Sequence, residues 1–117
     1  MKLTLPWPPS ANRYYRTVNG RPILSAIARQ YRATVVAMYN DQPLTGRLSV
    51  TITANPPDLR KRDLDNLLKQ TLDALQHAGI YLDDAQIDYI LIRRGIKSPP
   101  GNLEVEIDGY PSNSICG

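Results

Sequence analysis

The sequence predicts an α+β domain: two helices packed on a small, mostly antiparallel (mixed) four-stranded sheet, in the order β-α-β-α-β-β. Three observations carry this prediction. Leu48, Val50 and Ile52 alternate with Ser49, Thr51 and Thr53, and Leu103, Val105 and Ile107 alternate with Glu104, Glu106 and Asp108. That period of two marks strands with one buried face. Two longer stretches repeat their apolar residues at helical spacing instead. Finally, Pro, Gly and Asn clusters punctuate the segments where turns are needed.

The elements follow in order. Met1 to Leu5 is a short strand stopped by Pro6, and Pro6-Trp7-Pro8-Pro9-Ser10 cannot be helix. Ser10 to Pro22 reads as an irregular loop. Ser25 is the N-cap of a helix reaching about Tyr39, with Ile27, Tyr31, Val35 and Met38 on its buried face. The strand around Leu48 to Thr53 ends at Asn55-Pro56-Pro57, and a charged loop covers Asp58 to Asp65. A second helix is expected from about Leu64 to Ala78, with Leu68, Leu72 and Leu75 as its stripe and Gly79 as its stop. Asp88 to Gly95 forms a third strand, and Ser98 to Asn102 turns the chain in an expected hairpin onto the last strand. Residues 1–108 make a single domain, and 109–117 a flexible C-terminal tail.

Composition narrows the chemistry. The 117 residues are 42% hydrophobic, enough for a core, and 14 Lys and Arg against 11 Asp and Glu give a net charge of +3. This mildly basic balance permits an acidic partner without demanding one. No apolar run approaches the roughly 18 residues of a membrane span, and the N-terminus lacks a signal-peptide pattern, so a cytoplasmic, soluble protein is expected. Cys116 is the single cysteine and His77 the single histidine, too few for a Cys/His zinc site. No phosphate-cradling Gly-rich loop followed by Lys-Ser or Lys-Thr is present. Carboxylate chemistry remains.

Arg60-Lys61-Arg62-Asp63-Leu64-Asp65-Asn66 is the most unusual stretch. If Asp63 and Asp65 lie on an extended segment, their side chains point the same way and converge. A divalent cation relieves the resulting repulsion, and magnesium is commonly held by one or two carboxylates plus substrate phosphate. Arg60, Lys61 and Arg62 upstream, and Lys69 one turn into the helix, attract the phosphate backbone. Acids for a metal beside bases for phosphate is the pattern of metal-assisted phosphodiester cleavage. Each acid also has a plain alternative. An Asp near a helix start often serves only as a cap or dipole partner. Asp83-Asp84 can be a solvated turn, Lys69 a surface lysine, and Trp7, Tyr14 and Tyr15 either base-stacking groups or sheet-edge packing.

The block Leu5-Pro-Trp-Pro-Pro-Ser-Ala-Asn-Arg-Tyr-Tyr-Arg16, then Arg62-Asp-Leu-Asp-Asn-Leu67, Lys69, Asp73-Ala-Leu75, Ala78-Gly79 and Leu82-Asp-Asp-Ala-Gln86 closely resembles the RusA family of Holliday-junction resolvases. The resemblance spans most of residues 1–108. It implies a homodimeric endonuclease that binds four-way junction DNA. Such an enzyme makes paired symmetric nicks with Mg2+, for which Mn2+ substitutes, and acts in recombination and repair. It implies metal-binding catalytic acids at Asp63, Asp65 and Asp84, with Asp83 the weaker match, and an essential lysine at Lys69. Arg60, Lys61, Arg62, Arg13 and Arg16 are expected to bind DNA, with Arg93 and Arg94 as further candidates. Ala11 departs from the family pattern at a position that is commonly polar, and 33–57 and 109–117 carry no motif. Three rival readings are open. One is a DNA-binding module whose acids are caps, another a metal nuclease for flaps, forks or RNA, and the third a purely structural dimer.

Overall fold

The structure, a computed structural model, describes residues 1–111. Four strands form the main sheet: β1 (Lys2–Pro6), β4 (Leu48–Asn55), β5 (Ile87–Arg94) and β6 (Asn102–Gly109), in spatial order β1-β6-β4-β5. β6 is antiparallel to both β1 and β4, while β4 and β5 are parallel. The sheet is therefore mixed, as expected. The substantial helices are α2 (Ala26–Ala37) and α3 (Asp65–His77).

One face of the sheet makes the core. Leu48, Val50, Ile52 and Ala54 of β4 and Leu103, Val105 and Ile107 of β6 are buried against Tyr31 and Val35 of α2 and Leu67, Ala74 and Leu75 of α3. Each Val, Leu or Ile side chain so buried contributes roughly 1.5–3 kcal/mol. Both helix stripes differ from expectation. On α2, Ala28, Tyr31 and Val35 are buried, while Ile27 and Met38 are exposed. On α3 the buried line is Leu67, Gln70, Thr71, Ala74 and Leu75, and Leu68 and Leu72 flank it. The caps are as read from sequence. Ser25 Oγ accepts from Ala28 N–H at 3.2 Å. Gly79, at φ +78°, closes α3: its N–H donates to Gln76 O, and Ile80 N–H donates to Leu75 O.

The expected terminal hairpin does not form, because β4 lies between β5 and β6. The connection crosses the end of β4, and two glycines make the close passage possible. A Cβ on Gly95 would overlap Asn55 Oδ1, and one on Gly101 (φ +92°) would stand 2.9 Å from Pro57 Cδ.

Ser10 to Pro22 is not an irregular loop. It holds the single turn α1 (Ala11–Tyr14) and β2 (Tyr15–Val18), which pairs with β3 (Arg21–Leu24) in a separate two-stranded hairpin. The turn residues Asn19 and Gly20 have φ of +51° and +76°, the signs required by the hairpin turn that Asn-Gly favours. At the other end, Gly109 still belongs to β6 and Tyr110 N–H donates to Arg47 O at 2.9 Å. The tail expected from residue 109 thus has its first two residues tied to the domain, and 112–117, with Cys116, lie outside the described residues. No described helix is long and apolar enough to cross a membrane.

Candidate active site

The acids from Asp58 to Asp88, the capping Asp83 apart, fall into two groups. In the first, each acid is neutralised within the fold. Asp73 takes two hydrogen bonds from the Arg32 guanidinium, at 2.8 and 2.7 Å, and one from Tyr14 Oη at 2.8 Å. Burial first, and then this hydrogen bond to Asp73, push the Tyr14 hydroxyl well above its ordinary range. Asp88 pairs with Arg47. Asp58 pairs with Arg62 at 2.7 Å and Arg60 at 3.2 Å, and it accepts Arg60 N–H. The Arg62 hydrogen bond, followed by the Arg60 amide, holds the Asp58 carboxyl well below the usual carboxylate range.

Asp63, Asp65 and Asp84 form the second group. All three are exposed, and none has a side-chain hydrogen bond or ion pair among the described residues. Asp65 opens α3, whose N-cap is Leu64 with no side-chain capping bond. The two acids therefore do not act as caps. The structure also changes how they are presented: Leu64 is helical (φ −66°, ψ −35°), so Asp63 and Asp65 do not alternate along an extended segment.

Asp84 is elsewhere in the chain's own fold. Its N–H donates to Gln76 Oε1 at 2.9 Å, near the C-terminal end of α3. Asp65 begins that helix, so the helical rise separates it from Gln76, Asp84's partner, by about 16 Å. Among the described residues no single chain gathers three potential metal ligands of the His/Cys/Asp/Glu type. The three expected acids stand as a pair of near neighbours and one remote member. Asp83 and Asp84, which only the family resemblance ranks at the sequence level, have distinct settings in the structure. Asp83 caps the 3-10 turn Asp84–Gln86 by accepting Ala85 N–H at 2.8 Å, and Gln86 Oε1 accepts Asp83 N–H in return. The Asp84 carboxylate has no partner among the described residues.

The cations sort in the same way. Arg62 is committed to Asp58 and lies over the Trp7 ring, 5.5 Å from its centroid. Arg60 shares Asp58 but is 82% exposed, and Lys61 has no acid partner among the described residues. From β5, Arg94 donates to Arg62 O at 2.6 Å, which sets it against the charged loop, and Arg93 donates to Thr53 Oγ1 of β4. Arg13, Arg60, Lys61, Arg62 and Asp63 line one cleft of about 690 Å³ together with Trp7 and Pro8. Arg16 is exposed on β2, next to Tyr15. Lys69 projects from α3 over the Tyr15 ring, 5.7 Å from the centroid.

Sequence reasoning missed two features. The first is Tyr15 as the neighbour of Lys69. The second is a charge asymmetry: residues 1–40 hold six of the 14 Lys and Arg and none of the 11 Asp and Glu. A count by segment would have found it.

An α+β scaffold that leaves Asp63 and Asp65 unpaired near Lys61 and Arg13, cations without acid partners among the described residues, defines a class of protein suited to phosphodiesters. The family model for Endodeoxyribonuclease RusA matches residues 6–108. The chain is 44% identical over 110 residues to the crossover junction endodeoxyribonuclease of Enterobacteria phage 82, covering 90% of this chain and 91% of that protein. The crossover junction endodeoxyribonuclease of Escherichia coli K12 gives the same figures, and that of Enterobacteria phage HK97 is 40% identical over 110 residues. This chain belongs to the RusA family.

Proposed function

We propose that this protein is a divalent-metal-dependent endonuclease that resolves Holliday junctions by paired symmetric nicks in recombination and repair. The observation that carries the reading is the contrast among the acids of α3 and the segments flanking it, from Asp58 to Asp88. Asp58, Asp73 and Asp88 are each paired to arginine, while Asp63, Asp65 and Asp84 are left bare. Unpaired carboxylates cost a fold nothing at the surface, but they gain it nothing either. Their oxygen-only donor set fits Mg2+, or Mn2+ in its place.

Asp63, Asp65 and Asp84 would hold the metal, which when bound supplies an activated water and charge neutralisation at the scissile phosphate. Lys69 stabilises the charge that builds on the phosphate or leaving oxygen, a role needing a positioned cation. Arg13, Arg60 and Lys61 hold backbone phosphates along the cleft, and Arg16 holds them beside it. Arg62 shapes that cleft through Asp58 and Trp7.

The separation of Asp84 from the other acids supports a homodimer. β5 is an edge strand that exposes three successive apolar residues, Tyr89, Ile90 and Leu91, which an isolated sheet edge normally avoids. Leu82, 72% exposed, lies before its start, and Ile96, 78% exposed, lies beyond its end. Antiparallel pairing of β5 with its copy across a two-fold axis covers this row. It also sets the Asp84 end of one β5 beside the Arg94 end of the other, where Arg94 holds the carbonyl preceding Asp63. Each site then takes Asp63 and Asp65 from one subunit and Asp84 from its partner, and two opposed sites suit two opposed cuts.

The test is incubation of a labelled synthetic four-way junction with the protein in Mg2+, with EDTA and a linear duplex as controls. Paired nicks in the junction alone, abolished by EDTA, are expected. Tight binding without cutting in Mg2+ or Mn2+ would overturn the reading in favour of a DNA-binding module.

A further inference from the structure

The β2–β3 hairpin contributes nothing to the core, yet it is firmly rooted. An isolated two-stranded ribbon is marginal in water, and this one is stapled at its base from four directions. Tyr14, fully buried, hydrogen-bonds Asp73 of α3, and Ser25 N–H donates to Tyr14 O at 3.0 Å. Ser25 Oγ donates to Arg13 O at 2.6 Å, and Arg29 Nη1 to Leu24 O at 2.8 Å. Beyond that base, every residue of β2 and both Arg21 and Pro22 are exposed.

The ribbon has two chemically different faces. Its register pairs Arg16 with Ile23 and Val18 with Arg21, so both arginines share one face with Val18. Neither arginine has an acid partner among the described residues. The opposite face carries Tyr15, whose ring underlies Lys69. The exposed acids Glu104, Glu106 and Asp108 lie on the outer face of β6, in the main sheet. The hairpin is therefore a stiff, acid-free, basic projection next to Lys69. A two-stranded ribbon also has the cross-section that the major groove of DNA admits.

We propose that the β2–β3 hairpin is a second DNA-binding element. In it the Arg16 and Arg21 face contacts backbone phosphates on the duplex arm leading away from the cleft. This deepens the junction-nuclease reading and rests on it. Arg16 is thereby given a ribbon partner, Arg21, and a separate DNA segment from the one gripped by Arg60 and Lys61.

The experiment measures binding of a fluorescent four-way junction to the full-length protein across a salt series, with Ca2+ replacing Mg2+. It compares wild type with Arg16→Ala/Arg21→Ala and with Arg16→Lys/Arg21→Lys. Each lost phosphate contact lowers the salt slope by about 0.9. The double alanine variant should therefore bind at least several-fold more weakly at low salt, with a slope shallower by roughly 1.8. The lysine variant, which keeps both charges, should regain most of that slope. Unfolding curves matching wild type exclude a folding defect, since both side chains are exposed. An alanine variant with wild-type affinity and slope overturns the hairpin proposal alone. Wild type that fails to bind the junction overturns the hairpin proposal together with the nuclease reading.

Discussion

The Lys69 ammonium rests over the Tyr15 ring, 5.7 Å from its centroid, and this contact joins the hairpin to the first turns of α3. Lys69 has no acid partner among the described residues, so the aromatic face is what restrains it. Tyr15 is itself held edge-on against Tyr14, with ring centroids 5.2 Å apart. The chain from Asp73 through Tyr14 and Tyr15 to Lys69 thus carries the order of the core out to a surface cation.

Tyr15 should therefore act as a positioning residue. Tyr15→Phe keeps the ring and should cut junctions at close to the wild-type rate. Tyr15→Leu removes it and should lower kcat roughly 2- to 5-fold, with KM nearly unchanged, as expected for the loss of one exposed cation–π contact. Single-turnover cleavage measures this. A matching rise in KM would assign Tyr15 to DNA binding instead.

Asp83 and Asp84 should separate cleanly. Asp83→Ala removes a cap and should cost about 1 kcal/mol of stability, while leaving cleavage measurable. Asp84→Asn should leave thermal stability unchanged and abolish cleavage. Melting curves and junction cleavage, run on both variants, decide it.

Gln70 is buried on α3, and among the described residues neither its amide nitrogen nor its amide oxygen has a hydrogen-bond partner. A buried amide left unpaired costs about 1–3 kcal/mol. Gln70→Met, of similar shape, should raise stability by about 1–2 kcal/mol, seen as an increase in Tm. A lower Tm would show that the amide is satisfied in solution.

The Asp58 carboxyl is held low by Arg62 and by the Arg60 amide. A carboxyl depressed in the folded state stabilises it above the unfolded pKa, about 3.9. That contribution fades as the pH falls through the folded value. Asp58→Asn should therefore be less stable than wild type at pH 7, and the gap should narrow steadily below about pH 4. Denaturant unfolding at pH 7, 4 and 3 measures it, and a gap independent of pH would remove the Asp58–Arg62 pair from the account.

Legibility followed the range of the interactions. β4, β6, the Ser25 cap and the Gly79 stop were readable because each depends on residues within a turn or two. The β2–β3 hairpin escaped because Arg16, Arg21 and Pro22 break the apolar alternation, although Asn19-Gly20 marked its turn. The crossing of β5 to β6 depends on Gly95 clearing Asn55, a contact 40 residues apart in sequence, and no local pattern announces it. At the site, residue types were legible but spacing was not. The family resemblance groups Asp63, Asp65 and Asp84, while α3 holds Asp84 apart from the other two within a chain. The helical pattern between Asp65 and Ala78 already contained that separation.

The most direct test of the proposed composite site is complementation between two inactive variants. Asp65→Asn and Asp84→Asn are each expected to be inert on a four-way junction in Mg2+. Co-expressed, they form mixed dimers in which one of the two sites has a full set of wild-type acids. The mixture should then nick the junction on one strand without resolving it. A mixture as inert as either variant, beside wild type that cuts, would contradict a site shared between subunits.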